Sequence, residues 1–240
     1  MNTILSLLKP VKKSLALGIM ISVFSLGGLL EANKTSMDKL SDIFEVMKNR
    51  RSVRQFKSTA IPRADIEKII AAAVMAPTSG NQQPWKFVIV DEPSILDEIR
   101  KESVEIKLIQ YKQYYQDKDK SKITPENIKK VRIKIEKYVN RFLSAPVYIG
   151  IYTDSKSKYP SYNQHDGPLA AGYLMLAARA MGYGTVYATD SIPTQVTKKV
   201  LNIPDHYVRV CFTPLGIPKE WPKGPAKKAP KEFIIYGKVK

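Results

Sequence analysis

Cysteine and histidine are nearly missing from this chain: one Cys and two His in 240 residues. A single cysteine, Cys211, rules out an intramolecular disulfide, and its neighbours Val208, Val210 and Phe212 mark it as an inert core thiol rather than a nucleophile. His165 and His206 are far apart and have no Cys or carboxylate at ligand spacing, which argues against a metal site. Neither histidine stands near a candidate nucleophile. The chain also lacks a G-x-S-x-G elbow, a G-x-x-x-x-G-K-S/T loop and a G-x-G-x-x-G turn, since Gly182-Tyr183-Gly184 is missing the third glycine. With so little acid–base or nucleophilic equipment, any reaction is expected to be carried by a bound cofactor.

Negative charge is scarce as well. Against 39 Lys and Arg stand 22 Asp and Glu, a formal charge of +17. Such a balance suits an anionic partner, whether nucleic acid, a lipid surface or an acidic metabolite. Lysines spread from Lys101 to Lys240, however, read first as a solvated surface. Only Tyr111 to Lys137 interleaves basic residues with aromatics, so a non-enzymatic binder of nucleic acid or anionic membrane is the alternative from another class, and no nucleic-acid partner is expected. Length and an apolar share of 44% fit one domain with a substantial core.

At the amino terminus Lys9, Lys12 and Lys13 precede an uncharged stretch from Ser14 to Leu30, with a small residue at Ala32. These are the parts of a secretory signal, although the apolar stretch also approaches the length of an anchor. Residues 1–32 are therefore expected to be a signal peptide or N-terminal anchor, 33–37 a linker, and 38–240 the catalytic domain. The expected location is exported, periplasmic or extracytoplasmic, or membrane-associated through residues 14–30.

Along the domain, helical and extended patterns alternate, which by itself reads as α/β. Leu40, Ile43, Phe44 and Met47 fall on one helical face, as do Ile66, Ile69, Ile70 and Ala73 after Pro62. Phe87 to Val90 reads as a buried strand, and Ser94 as the cap of a further helix. The lysine-rich, tyrosine-dotted stretch from Lys101 to Asn140 reads as two helices joined by a mobile loop near Gln116 to Pro125. It is either a substrate lid or an exposed hairpin whose tyrosines pack on the body, the latter being favoured. Strands are expected at Val147–Tyr152, Thr185–Ala188 and Tyr207–Phe212. A helix from Gly167 to Met181, apolar on nearly every side, must be buried in the domain or across a subunit interface. Ile217 to Lys231 is expected on the surface, and Phe233 to Tyr236 as an apolar tail that needs a partner sheet.

Two segments carry chemistry. Arg50-Arg51-Ser52-Val53-Arg54 supplies guanidinium forks and a hydroxyl suited to a phosphate. Ala76-Pro77-Thr78-Ser79-Gly80-Asn81-Gln82-Gln83-Pro84-Trp85 is a turn-rich polar loop in which Asn81 offers both donor and acceptor to a heteroaromatic ring edge. Trp85 itself reads as core packing. The pair, in this order with one helix between, resembles the nitroreductase family of FMN-dependent oxidoreductases, which carry R-R-S-x-R and P-S-x-x-N-x-Q-P-W.

Over residues 38–240 the resemblance implies an α+β fold: a three-layer α-β-α sandwich with a mixed, mostly antiparallel sheet. It also implies a homodimer with a buried central helix and exchanged C-terminal arms. FMN would contact Arg50, Arg51, Ser52, Arg54, Pro77, Thr78, Ser79 and Asn81, the loop often reaching the flavin of the opposite subunit. Thr189 matches the position near flavin N5. Lys228 stands where relatives place an arginine against the phosphate, so a point charge replaces a bidentate fork. The implied reaction moves hydride from NAD(P)H through flavin N5 to a small-molecule electron acceptor such as a nitroaromatic or quinone. A reductive dehalogenase of the iodotyrosine deiodinase kind or a flavin-cleaving enzyme is the alternative within the class. The Glu-x-x-x-Tyr pairing expected of a deiodinase lid is not found between Lys101 and Asn140.

Overall fold

The computed structural model describes residues 43–238; the features of residues 1–32, the 33–37 linker and Leu40 lie outside them. The chain divides at Lys48/Asn49 into two units. Of the first, the description covers residues 43–48, all but the last residue of one short helix, α1 (Ile43–Asn49), with Lys48 paired to Glu45 at 2.8 Å.

The second unit is built on a four-stranded sheet in the order β1-β2-β4-β3. Its strands are β1 (Trp85–Val90), β2 (Val147–Asp154), β3 (Gly184–Thr185) and β4 (Tyr207–Gly216). Every named pair is antiparallel, so the alternating pattern is corrected from α/β to α+β, and among the described residues no crossover joins parallel strands. The mixed character survives in one place: Ser52 makes a parallel bridge to Thr185, and Val53 N donates to Thr185 O at 2.9 Å.

Alternation along the strands assigns the two faces. Ile149, Ile151, Cys211 and Leu215 point to one side, where α2 (Arg63–Ala73) and α5 (Asn163–Ala180) cover them with Ile66, Ile69, Ala171 and Leu174. Tyr148, Phe212 and Val90 point to the other and meet Leu96, Ile99, Val104 and Leu108 of α3 (Pro93–Gln116), Val139 of α4 (Pro125–Phe142) and Val196 of α6 (Thr194–Val200). Helices on both faces give the expected three layers.

Three expectations need correction. Ser94 does not cap α3, because Pro93 occupies the first turn and Glu92 is the cap residue, with no side-chain bond. The strand expected at Thr185–Ala188 ends at Thr185, since the Thr213 hydroxyl rather than a backbone amide takes Val186 O and breaks the ladder. The helix expected at Gly167 starts at Asn163 and is covered on one face only, leaving Leu169 and Tyr173 exposed within the chain. The tail pairs with no strand among the described residues, Phe233 and Tyr236 being 70% and 91% exposed, so its own chain does not supply the partner sheet it is expected to need.

The Lys/Tyr-rich segment is indeed a helical hairpin. Its link is a hydrogen-bonded turn: Asp119 accepts from Ser121 N, Asn127 Nδ2 donates to Ser121 O, and Thr124 caps α4. Tyr111 and Tyr115 pack on each other at 4.8 Å while Tyr114 and Tyr138 stay exposed. Ile217 to Lys231 runs over the surface as expected, and Trp85 is buried.

Two predictions follow from the packing. A Cβ on Gly167 would collide with Val210 Cγ2 and lie 3.0 Å from Thr153 Cγ2, both on stiff β-branched side chains, whereas one on Gly172 meets nothing within 4 Å. In urea unfolding, Gly167→Ala should destabilise by about 1–2 kcal/mol, overpacking outweighing helix propensity. Gly172→Ala should instead stabilise by up to about 1 kcal/mol. Burial pushes the Cys211 thiol up to about 12. The native protein should therefore not react with a disulfide reagent at about pH 8, and the thiol should titrate fully in denaturant.

Candidate functional site

The polar loop is held from behind. Gly80, Asn81 and Gln83 all take positive φ, at 55°, 53° and 46°, which glycine and asparagine tolerate and glutamine does not without support. The support comes from Gln82. Its Nε2 donates to Asp166 Oδ2 at 2.7 Å and to Tyr159 O at 3.1 Å, while its Oε1 accepts from Tyr159 N at 2.7 Å. Ser79 N donates to Asp166 Oδ1 at 3.2 Å, so the buried Asp166 carboxylate in the first turn of α5 takes two of the loop's donors. The Tyr159 ring lies over Gly80, where a Cβ would come within 2.5 Å.

With its back clamped, the loop shows its other side to solvent. Pro77 and Asn81 are exposed, and Thr78 and Ser79 half-buried. Gln83 Nε2 donates to Asn81 Oδ1 at 3.1 Å, and Thr78 Oγ1 accepts from Gln83 N. Sequence reasoning passed over Gln82 and Asp166. Their signal was a second amide beside the asparagine and an acid in a helix's first turn.

The arginine run lies elsewhere. Ser52 sits beside β3, Arg51 Nη1 donates to Arg50 O at 2.9 Å, and the Arg51 guanidinium covers Gly224 so closely that a Cβ there would be 2.6 Å from Nε. Lys219 N donates to Gln55 O at 3.0 Å, so the carboxyl-terminal stretch runs alongside the arginines. Lys228, four residues past Gly224, is exposed. Neither Arg50 nor Arg54 forms an ion pair with a described carboxylate. Thr189 follows β3 on the same sheet edge: Phe212 N donates to Ala188 O at 2.9 Å, and Thr189 Oγ1 donates to Asp190 Oδ2 at 2.9 Å.

Register fixes how far apart the pieces are. The loop enters β1 at Trp85, opposite Thr153 and so level with Val208, while Ser52 is level with Thr185, Leu215 and Val147. The two motifs thus stand at opposite edges and opposite strand ends of one sheet, separated by on the order of 25 Å from strand rise and spacing. Arg50, Ser52, Arg54 and Thr189 gather at one edge; Pro77, Thr78, Ser79 and Asn81 do not join them within one chain.

This sheet, with an arginine run on one edge and an asparagine loop on the other, agrees with comparison to known proteins. A model of the nitroreductase family matches residues 47–217. The chain belongs to the nitroreductase family. Among curated relatives of this nitroreductase-family chain, mouse iodotyrosine deiodinase 1 is 30% identical over 185 residues, 74% of this chain and 62% of the deiodinase. A Methanothermobacter thermautotrophicus protein provisionally named an NADH dehydrogenase/NAD(P)H nitroreductase is 27% identical over 186 residues, 75% of this chain and 80% of that protein. This chain therefore spans less than two thirds of the mouse deiodinase. Among solved structures, oxidised iodotyrosine deiodinase bound to FMN and 3-iodo-L-tyrosine superposes with a TM-score of 0.61 at 24% identity, over 82% of this chain and all of that one. A nitroreductase family protein from Clostridium novyi NT gives 0.55 at 26% identity, over 76% of this chain and 88% of that one.

Removing the clamp should loosen the loop without touching the core. Gln82→Ala is expected to cost about 1–3 kcal/mol, from lost bonds and an unpaired Asp166. In hydrogen exchange, protection should fall at Ser79 to Gln83 and stay unchanged in β2 and β4.

Proposed function

We propose that this chain is an FMN-dependent oxidoreductase that draws electrons from NADH or NADPH and passes them to a nitroaromatic, quinone or similar electron-poor small molecule. The observation that carries the reading is the gathering of Arg50, Ser52 and Arg54, two of them cations without described carboxylate partners, on the sheet edge that also bears Thr189. FMN, when bound, supplies a two-electron redox centre with its reactive position at N5. Arg50, Arg51 and Arg54 hold its phosphate through charge-assisted bonds, the Ser52 hydroxyl adds a donor, and Lys228 adds a point charge. Thr189 stands beside N5. No side chain of the chain is asked to act as general acid or base.

The ring-binding loop must come from a second copy, because its own chain holds it about 25 Å away. Leu169 and Tyr173 on the outer face of α5, next to the clamped loop, and the uncovered tail from Phe233 to Tyr236 supply apolar surface for such a homodimer. Pro77, Thr78, Ser79 and Asn81 of each copy then line the flavin held by the other. Residues 1–32, outside the described part, are read as an export signal or anchor for this dimer.

The deiodinase relatives favour reductive dehalogenation as a second reading. Against it, neither helix of the α3–α4 hairpin carries a Glu-x-x-x-Tyr pair, and Glu105 is taken up by Arg132 at 2.7 Å across the two helices. Assaying nitroaromatic reduction against deiodination of 3-iodotyrosine separates the two.

The purified protein should be yellow and release FMN on heating; colourless protein that takes up no added flavin overturns the reading. Phosphate recognition is expected to favour FMN over riboflavin by about 100-fold, and Arg54→Ala to cut that preference roughly tenfold. Arg54→Ala and Asn81→Ala homodimers should each bind flavin weakly. When the two are unfolded and refolded together, about a quarter of the sites should regain tight binding, since each mixed dimer rebuilds one intact site. No recovery on mixing would place both segments in one subunit's site and sink the shared arrangement.

A further inference from the structure

Arg209 is the only charged residue of β4, and strict alternation would put it on the same face as Cys211, Thr213 and Leu215, against α2 and α5. It is not there. The register of β2 against β4 slips at this point: Ile151 pairs with Cys211 and Tyr152 with Arg209, so Val210 is an extra residue. Val210 packs against Gly167 of α5, on the same face as Cys211. A bulge of this kind re-aims the side chains beyond it. Arg209 is thereby turned to the opposite face, toward α6 and the turn that carries Thr189.

On that face both terminal nitrogens of the guanidinium fork are engaged. Its Nη2 donates to Thr189 O at 2.5 Å and to Ile192 O at 2.8 Å, and its Nη1 donates to Thr197 Oγ1 at 3.1 Å. All three acceptors are neutral, and among the described residues no carboxylate lies within ion-pair distance. Burial drives the pKa of Arg209 downward, opposed by attraction to groups that include Asp190. A half-buried cation without a paired counter-ion contributes less to folding than its three hydrogen bonds suggest, because it is partly desolvated. What the arginine adds is geometry. Thr189 Oγ1 is tied only to its neighbour Asp190, and from Thr189 to Ile192 the hydrogen bonds that leave the segment all come from Arg209.

We propose that Arg209 is a positioning residue of the redox site: turned inward by the β4 bulge, it pins the Thr189–Ile192 turn from beneath so that Thr189 keeps one position against the cofactor. This rests on the reading of Thr189 given above. Arg209 touches neither cofactor nor substrate in this scheme and acts through the turn. Lysine cannot take its place, because a single ammonium on a flexible stem reaches one carbonyl where the fork spans three acceptors.

The test begins on flavin-free full-length protein. In hydrogen–deuterium exchange, Arg209→Lys should speed exchange at residues 189–192 about tenfold while β2 and α5 stay protected. In flavin-loaded protein the same variant should keep FMN bound, lower kcat for nitroaromatic reduction roughly tenfold, and show non-additivity with Thr189→Ala, since both act on one position. Should Arg209→Lys fail to fold, Thr197→Val removes one acceptor and should speed exchange in the same turn about threefold. Exchange within twofold of wild type in whichever variant folds, or additive kinetic effects, overturns the proposal. A wild-type chain that takes up no FMN overturns the site reading and this proposal together; flavin-loaded wild type with an unaltered Arg209→Lys overturns this proposal alone.

Discussion

The antiparallel pairing of β2 with β4 is the constraint on which the rest depends. These central strands are covered on both faces, and their register sets where every functional segment stands. The arginine run is attached through β3 near Leu215, and the asparagine loop enters through β1 beside Thr153. Slipping β4 by one residue against β2 would send Phe212 toward α5 and Cys211 toward α3 while Tyr148 stayed in place. The single bulge at Val210 is a local and useful form of such a slip. It changes the phase of β4 for Tyr207 to Arg209 while the pairing with β2 continues on both sides of it.

A second organising device is the use of side chains to hold irregular backbone. Gln82 and Asp166 support a loop with left-handed backbone at three of four residues, and Arg209 supports a turn that the sheet ladder does not reach. In both cases a half-buried side chain bonds to backbone of the irregular segment. Pre-organisation from behind leaves Asn81 and Thr189 on the open side while their backbones are fixed. The arrangement suits a site whose cofactor carries the chemistry, because the protein's task is then position rather than proton transfer.

Charge follows the same division. The excess of lysine is spread over the helical hairpin and the carboxyl-terminal stretch, where surface pairs such as Lys130 with Glu126 are worth little individually. The cations that matter to the proposed function are the arginines at the β3 edge and one arginine, Arg209, half-buried against two carbonyls and a hydroxyl. Net charge alone would have drawn attention to the hairpin. Pairing and burial draw it to the sheet.

Much of this was legible in the chain itself. Helical periodicity and turn residues located α2, the hairpin, α5 and most strands, because burial on one face imposes its period on the sequence. The run from Arg50 to Arg54 and the loop from Ala76 to Trp85 carried the family and its cofactor chemistry, since those residue types have few other uses in that order. What the chain could not disclose was strand direction, how far each element's cover extends, and distance. Alternating helices and strands are compatible with either sheet direction until the ladder is formed. The coverage of α5 on one face alone, the bulge that inverts Arg209, and the wide separation of the two motifs all arise from pairing between residues remote in sequence. Local pattern holds no record of them, and only the closed sheet decides them.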